Sequence, residues 1–275
     1  MGWTFSRRLV AACSAACLLA AAAGGSTALS TGRAQVPRIA HVVLIVFENH
    51  ERSSVLGSGA APTFDALAAQ YAQATDYHAI AHPSLPNYLA LISGSTHGVT
   101  GDCLSCPQTG STIGSQLTSA GRRWGAFAEG YPRGAHFDKK HVPFLYFAHD
   151  AAHVRPLGAF TPSALPAFSF ITPNRCHDMH DCSVSTGDAW LRGFVKPLLK
   201  RPSTAIFIVF DEGTTTAGGG GLVPLIVAGT AVQRRTTITQ TADHYSLLRT
   251  IEDALGLSPL GYAADATPLT GIWRG

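Results

Sequence analysis

The chain has 275 residues, of which 46% are hydrophobic and 13% charged, and its formal net charge is +3 at pH 7. A chain of this length and composition can bury the core of a single large domain. The small net charge gives no reason to expect nucleic acid or an acidic membrane as a partner, because electrostatic binding to either needs a concentrated basic surface.

The first 28 residues are expected to be a secretory signal peptide. Arg7 and Arg8 precede an apolar run over residues 9–23, and small residues at 26–28 offer a cleavage site. The alternative, a membrane anchor, is disfavoured because the run is shorter than the ~20 residues that span a bilayer. No later segment is long and apolar enough to be a transmembrane anchor. We therefore expect a secreted protein with one catalytic domain over residues 29–275, and the sequence leaves its oligomeric state open.

Strands and helices alternate along the rest of the chain. Continuous apolar, β-branched runs are typical of strands buried on both faces of a parallel sheet, and apolar residues spaced three or four apart indicate helices. The alternation predicts an α/β fold with a mostly parallel central sheet and helices on both faces. Pro224 indicates an edge or a bulge in its strand. The elements, in chain order, are a strand at 42–47, helices at 63–73 and 85–92, strands at 124–128, 167–171, 204–210 and 222–228, and a helix at 243–255.

Four cysteines follow the predicted signal peptide. In an exported protein an even set is usually paired, and four cysteines allow three connectivities. The local pairs are preferred, since each would pin a short loop. A zinc site made of all four is the alternative, which the spacing of the second pair disfavours. The preferred pairs are Cys103–Cys106 and Cys176–Cys182.

Acidic residues follow two of the strongest predicted strands. Glu48 and Asn49 come directly after the first strand, and Asp211 and Glu212 come directly after the strand at 204–210. Sites in open α/β sheets lie outside the carboxyl ends of the strands, and carboxylate oxygens suit a hard divalent cation. The plainer alternative is that these residues cap the helices that follow.

Ser84 lies at the start of a predicted helix, in the segment HPSLPNYL. Free backbone N–H groups and the helix dipole favour a phosphate and an ionised alkoxide at this position. Asn87, one turn along, could donate an N–H to a phosphoryl oxygen. A serine before a helix is also an ordinary cap, and the polar residues elsewhere in the chain favour the catalytic interpretation.

Those polar residues include histidines, all twelve of which follow the predicted signal peptide. His82 precedes Ser84 by two residues, and His244 opens the last helix. The segment PNRCHDMHDC is rich in metal-ligand and acid–base side chains, although it could also be a solvated loop closed by a disulfide. The candidates in this group are His82, Lys140, His141, His177, Asp178, His180 and His244.

Six stretches, in this order, resemble the phosphoesterase family of acid phosphatases and phospholipases C in the alkaline-phosphatase-like superfamily. They span nearly all of the chain after the signal peptide, and the ordered set is more specific than any single motif. The chain looks most like secreted acid phosphatases of actinobacterial type, which include enzymes acting on phosphoinositides. The stretches are VVLIVFENH, HPSLPNYLALISG, HVPFLYF, TPNRCHDMHD, IVFDEG and DHYSLLRTIED.

The resemblance implies that Ser84 is the nucleophile and that Asn87 binds the phosphoryl group. One divalent cation would activate Ser84. One cation is preferred to two, because the Asp-x3-His pattern that usually supplies the second site reads Asn174-x3-Asp178 here, or depends on His177 and His180. The cation ligands would be Glu48, Asn49, Ser84, Asp211 and Glu212; a second set would be Asp178, His180 and His244; and the phosphate would be met by His82, Lys140, His141 and His177.

The predicted function is hydrolysis of a phosphate monoester of a small molecule or a lipid headgroup through a phosphoserine. His180 or His244 would protonate the leaving alcohol, and a protonated histidine would favour an acidic optimum. A phosphodiesterase or phospholipase C of the same fold is the alternative. From other classes, a Ser-His-Asp carboxylesterase lacks the G-x-S-x-G motif here, and a non-catalytic binding protein would bind without turnover.

Overall fold

The structure is a computed structural model that describes residues 1–3 and 36–274. This part of the chain contains ten strands and six α-helices, joined by loops and short 3-10 helices. The signal peptide predicted for residues 1–28 falls almost entirely outside this part. In the described residues no helix has the length and apolar character needed to cross a membrane. The strands are β1 (His41–Phe47), β2 (Ala72–Ala74), β3 (Tyr77–His78), β4 (Trp124–Ala128), β5 (Val154–Pro156), β6 (Phe168–Thr172), β7 (Thr204–Phe210), β8 (Leu225–Ala228), β9 (Thr236–Ile238) and β10 (Ala242–Asp243). The helices are α1 (Arg52–Val55), α2 (Pro62–Gln70), α3 (Ser84–Ser93), α4 (Ile113–Ser119), α5 (Val184–Val195) and α6 (His244–Leu255).

Eight of these strands form one sheet in the order β5-β4-β6-β1-β7-β8-β2-β9. All of its neighbours run parallel except where β8 lies between β7 and β2. The α/β fold with a mostly parallel sheet is therefore confirmed. The expectation that Pro224 marks an edge strand or a bulge is wrong. β8 lies between β7 and β2 and begins after Pro224, so the N–H that proline lacks is not needed by the hydrogen bonds of the sheet.

The register of the two central strands sets the position of the acidic residues. Every side chain of β7 and all but the first of β1 are buried, as expected for strands with both faces covered. Phe47 pairs with Phe210 at the end of the shared register. The next residues, Glu48 and Asp211, therefore leave the same edge of the sheet together, and the Asp211 N–H donates to the Phe47 carbonyl at 2.9 Å.

Helices α3 and α6 are bounded by local capping signals. Helix α3 ends at Gly94, whose φ of 69° is left-handed and where a Cβ would collide with the Leu260 carbonyl. Helix α6 begins after Asp243, whose carboxylate accepts the Ser246 N–H at 2.9 Å. The small parallel pair of β3 and β10 leads into α6. His244, the first residue of α6, is fully buried next to this pair.

Candidate active site

The carboxylates at the strand ends surround the Ser84 hydroxyl. Ser84 Oγ donates to Glu212 Oε1 at 2.9 Å and also lies 3.2 Å from Glu48 Oε2. Ser84 is 2% exposed and is the first residue of α3. The sheet edge and the helix start thus meet at one hydroxyl group, which makes it the centre of the site.

Tyr88 is a member of this site that the sequence analysis missed. Its hydroxyl donates to Glu48 Oε1 at 2.5 Å, and its ring stacks on His141 with 5.3 Å between centroids and 9° between planes. Tyr88 lies four residues after Ser84 in α3, so the two side chains share a helix face. That spacing was the available signal.

The disulfide loop brings Asp178 and His180 to the other side of Glu48. The Glu48 N–H donates to the Asp178 carbonyl at 2.9 Å. The ring of His141 lies between two carboxylates, with Nε2 3.2 Å from Glu48 and Nδ1 3.2 Å from Asp178. Ligand-type atoms of Glu48, His141 and His180 all lie within 4.8 Å of one another. This triad was not predicted as a unit.

The electrostatics of the cluster fit a bound divalent cation. Burial, with Asp211 and Asp178 nearby, raises the pKa of Glu48 well above its ordinary value. Burial also raises the pKa of Asp211 well above normal and that of Asp178 to about 7. Among the described residues, buried Asp211 Oδ2 has no hydrogen-bond partner, and neither has His141 Nε2, whose approach to Glu48 is not aligned for a hydrogen bond. Crowded, desolvated carboxylates with unpaired ligand atoms are what a cation would neutralise.

The second cation set predicted from the sequence is not assembled. His244 is fully buried, with Nδ1 bonded to the Tyr77 hydroxyl at 2.7 Å and Nε2 to the Asp211 carbonyl at 2.6 Å. In the described residues the triad is the only group of three His, Cys, Asp or Glu side chains that meets this distance; it takes Glu48 from the first predicted set and His180 from the second, and Asp178, His244, Asp211 and Glu212 do not belong to it. Burial lowers the pKa of His244 to about 4 and both ring nitrogens are bonded, which does not favour its predicted role as general acid, and that role stays a prediction. The ring supports the backbone at Asp211 instead.

Asn87 has a different set of contacts from the one expected. Its side-chain oxygen accepts the N–H groups of Ile80 and Ala81 at 3.0 and 3.2 Å. Its side-chain nitrogen donates to the Ala81 carbonyl at 2.8 Å. The fully buried amide therefore fixes the loop that leads to Ser84, and contact with a phosphoryl oxygen stays a prediction.

Three side chains of the candidate set are part exposed: His82, Lys140 and His180, with exposed fractions of 34%, 16% and 24%. His82 contacts Glu212 through Nδ1 and the Thr215 carbonyl through Nε2 at 2.8 Å. Burial opposes protonation of this ring, but the Thr215 carbonyl and Glu212 outweigh it and raise the pKa of His82.

Two predicted phosphate-binding histidines are placed elsewhere. His141 is 1% exposed within the carboxylate cluster, where burial lowers its pKa to about 3, so its neutral ring is better placed as a ligand. His177 Nδ1 lies 2.8 Å from a Glu129 carboxylate oxygen, and the ring of His177 stacks on Trp190. These two contacts hold the ring outside the carboxylate cluster. The Asn49 backbone N–H donates to Asp211 at 3.2 Å, so Asn49 does lie beside the predicted ligands.

One of the two predicted disulfides is present. Cys176 and Cys182 are bonded and close the loop that carries Asp178 and His180. Cys103 and Cys106 form no disulfide within the part of the chain that the structure describes, so this predicted pair is not formed. The Cys106 thiol turns toward the Cys103 carbonyl at 3.7 Å, and the Tyr146 hydroxyl holds the same carbonyl at 2.5 Å.

Solved structures with similar folds share little sequence identity with this chain, so they bear on the fold alone. A protein in the alkaline phosphatase superfamily from Vibrio parahaemolyticus aligns with a TM-score of 0.61 at 13% identity, over 82% of this chain and 68% of that one. The lipoteichoic acid synthase LtaP from Listeria monocytogenes aligns with a TM-score of 0.57 at 8% identity, over 82% of this chain and 74% of that one. The chain thus shares the overall fold of these structures.

Sequence relatives are phosphatases. The chain is 35% identical to phosphatidylinositol-3-phosphatase of Mycobacterium tuberculosis over 94% of this chain and 91% of that protein. It is 30% identical to the phosphate-repressible acid phosphatase of Penicillium chrysogenum over 68% of this chain, and spans about half (52%) of that longer protein. The family model described as "Phosphoesterase family" matches residues 58–258. The chain therefore belongs to the phosphoesterase family and is a phosphoric ester hydrolase.

Proposed function

We propose that the chain is a secreted phosphatase that hydrolyses phosphate monoesters through a phosphoserine at Ser84, with the help of one divalent cation. The observation that carries this proposal is the position of the Ser84 hydroxyl, in contact with Glu212 and Glu48 at the first residue of α3. A serine that only capped the helix would bond to the backbone N–H groups of its first turn, and no such bond from Ser84 is present in the described residues.

The attacking group would be the Ser84 oxygen. Glu212 is placed to take its proton, because Oε1 already accepts the hydroxyl at 2.9 Å. The other oxygen of Glu212 contacts His82, whose ring is part exposed. This chain of contacts gives the proton a way toward solvent. The new Oγ–P bond forms as the bond from phosphorus to the leaving alcohol breaks.

Two sets of residues are proposed to hold the cation, and both contain Glu48. One set is Glu48 with Ser84, Asp211 and Glu212, and the other is the triad of Glu48, His141 and His180. The unpaired atoms of Asp211 and His141 support a cation in this cluster. When bound, a divalent cation would favour the ionised hydroxyl of Ser84 and neutralise phosphoryl charge.

The phosphoryl group would bind at the start of α3. The helix dipole favours an anion there, although the Leu85 N–H is already accepted by Asp102 and Pro86 has no N–H. Lys140 is placed near this point through Asp102, which contacts both the Lys140 ammonium and the Leu85 N–H. A lysine beside the entering group offsets the repulsion that the acidic cluster would otherwise exert on an anion.

A proton must reach the leaving alcohol, and of the two histidines predicted for this role only His180 is part exposed. Its Nδ1 bonds to Asp181 at 2.7 Å, which orients the ring. In this role His180 would not be a cation ligand, and the cation would be held by Glu48, Ser84, Asp211 and Glu212; a protonated His180 would then place the activity optimum on the acidic side of neutrality.

The proposed substrates are phosphorylated small molecules and the phosphorylated headgroups of inositol lipids. The second group rests on the 35% identity to the mycobacterial phosphatidylinositol-3-phosphatase, which covers most of both chains. Secretion rests on the predicted signal peptide over residues 1–28, followed by a catalytic domain over residues 29–275.

The test is hydrolysis of a panel of substrates by the purified protein, with and without a chelator, from acidic to alkaline pH. The panel holds p-nitrophenyl phosphate, a phosphatidylinositol monophosphate, a bis-ester and p-nitrophenyl acetate, and Ser84→Ala is assayed beside the wild type. We expect monoester turnover that both the chelator and Ser84→Ala abolish. Turnover of the bis-ester alone would indicate a diesterase, turnover of the acetate alone a carboxylesterase, and phosphate binding without turnover a binding protein. Each of these three results would refute the proposal.

A further inference from the structure

Asp102 joins the helix of the proposed nucleophile to Lys140. One of its carboxylate oxygens accepts the Leu85 N–H at 3.1 Å, and the other accepts from the Lys140 ammonium at 2.8 Å. Leu85 directly follows Ser84, so the ammonium lies one carboxyl group away from the first turn of α3. Because both oxygens are engaged, the carboxyl group cannot rotate without losing a contact.

The backbone that follows Asp102 is fixed by the same part of the chain that carries Lys140. The Cys103 carbonyl accepts the Tyr146 hydroxyl at 2.5 Å, and the Leu104 carbonyl accepts the Lys139 ammonium at 2.6 Å. The Lys139 ammonium also lies 4.8 Å from the centre of the Tyr146 ring. These contacts hold Asp102 in place independently of its own carboxylate.

Lys140 needs such an anchor. Its side chain is flexible, and an unfixed lysine occupies many rotamers. The carboxylates of Asp138 and Glu48 also act on its charge, along with that of Asp102. Contact with Glu48 would place the ammonium among the carboxylates that are proposed to hold the cation. The direct ion pair with Asp102 keeps the charge at the start of α3 instead.

We propose that Asp102 is a positioning residue that fixes Lys140 beside the phosphoryl group, and that this ion pair selects phosphate monoesters over diesters. The inference rests on the proposed function, with Ser84 as the attacking group. A monoester dianion carries one more negative charge on its non-bridging oxygens than a diester, where one of these oxygens bears an alkyl group. A fixed ammonium therefore stabilises the bound monoester more than the bound diester.

The experiment compares kcat and KM for p-nitrophenyl phosphate and bis(p-nitrophenyl) phosphate at neutral pH with saturating divalent cation. The variants are Asp102→Asn, Asp102→Glu, Lys140→Gln and the double variant Asp102→Asn/Lys140→Gln. Lys196→Gln, which removes an equal charge from an exposed residue after α5, is the control. Asp102→Asn keeps an acceptor for the Leu85 N–H and removes only the charge that holds Lys140.

We expect Asp102→Asn and Lys140→Gln each to raise KM for the monoester about tenfold, the size of a lost charged hydrogen bond, with less than about a threefold change for the diester. The double variant should be no worse than Lys140→Gln, because Asp102 acts through Lys140. Asp102→Glu should restore part of the loss, and Lys196→Gln should leave the ratio of the two esters unchanged.

A lower KM in Asp102→Asn would overturn the inference, since it would mean that Asp102 only repels the substrate. Additive losses in the double variant would overturn it as well, and so would equal losses for both esters. If Asp102→Asn does not fold, Lys140→Gln leaves the contact with α3 intact, and equal losses for both esters in that variant would overturn the inference on their own. Failure of the proposed function looks different, because the wild type itself would then not hydrolyse the monoester.

Discussion

Tyr88→Phe tests the buried contact that orients Glu48. The change deletes one oxygen and keeps the ring that stacks on His141. The lost bond, from the Tyr88 hydroxyl to Glu48 Oε1, is 2.5 Å long and fully buried. A buried hydrogen bond to a carboxylate that the proposed cation keeps ionised is worth about 2 kcal/mol. In a domain of this size that free energy corresponds to a melting temperature lower by about 4–8 °C.

The same change should slow the reaction, because Glu48 also contacts the Ser84 hydroxyl. We expect kcat for p-nitrophenyl phosphate to fall roughly tenfold, equivalent to about 1.4 kcal/mol, with little change in KM. Calorimetry and steady-state kinetics measure the two effects. Tyr71→Phe deletes a hydroxyl from a buried tyrosine outside the site and serves as the control. Wild-type melting temperature and wild-type kcat in Tyr88→Phe would refute the reasoning.

Three further predictions concern stability. Burial raises the pKa of Glu252 to about 8, above the ~4.3 of an exposed glutamate. The folded state therefore binds this proton more tightly than the unfolded state, and the contribution of Glu252 to the free energy of unfolding is present below about pH 4.3 and is lost as the pH rises to about 8. Glu252→Gln should flatten that loss when urea denaturation is followed across this pH range; an unchanged slope would contradict the assignment. Replacing Cys176 and Cys182 with serine should lower the free energy of unfolding by about 2 kcal/mol. It should also lower kcat, because Asp178 and His180 lie inside the loop that the disulfide closes. Full activity would show that the disulfide does not position these two residues. Asp188→Ala should lower the free energy of unfolding by about 2 kcal/mol without changing kcat. The Asp188 carboxylate accepts the Thr63 and Phe64 N–H groups at the start of α2, outside the candidate site. A loss of kcat in a folded variant would count against this.

The sequence was sufficient for five of the eight strands of the sheet and for the acidic residues at its edge, whereas the three-residue strands β2, β5 and β9 are too short to give a pattern. Fully apolar runs at β1 and β7 identify strands buried on both faces, and the residues after such strands lie at the same edge. Glu48 and Asp211 could therefore be placed together before their register was known. Ser84 could be added because a helix start carries its own anion-binding signal.

The histidines could not be assigned in the same way, because their environments are set by contacts between distant segments. His244 lies beside a parallel pair, β3 and β10, of only two residues each, too short to give a pattern. His141 meets Glu48 and Asp178 across irregular backbone. The contacts of Asn87 with its own loop depend in the same way on backbone geometry that residue types do not encode.

The central claim is that Ser84 carries the phosphoryl group during turnover. The most direct test is to quench the enzyme during steady-state hydrolysis of a phosphomonoester, at acidic pH, and to map covalent phosphate by mass spectrometry of its peptides. The account predicts phosphoserine at Ser84 in the wild type and none in Ser84→Ala. Rapid turnover with phosphate on another residue, or with no covalent phosphate and full activity in Ser84→Ala, would contradict it.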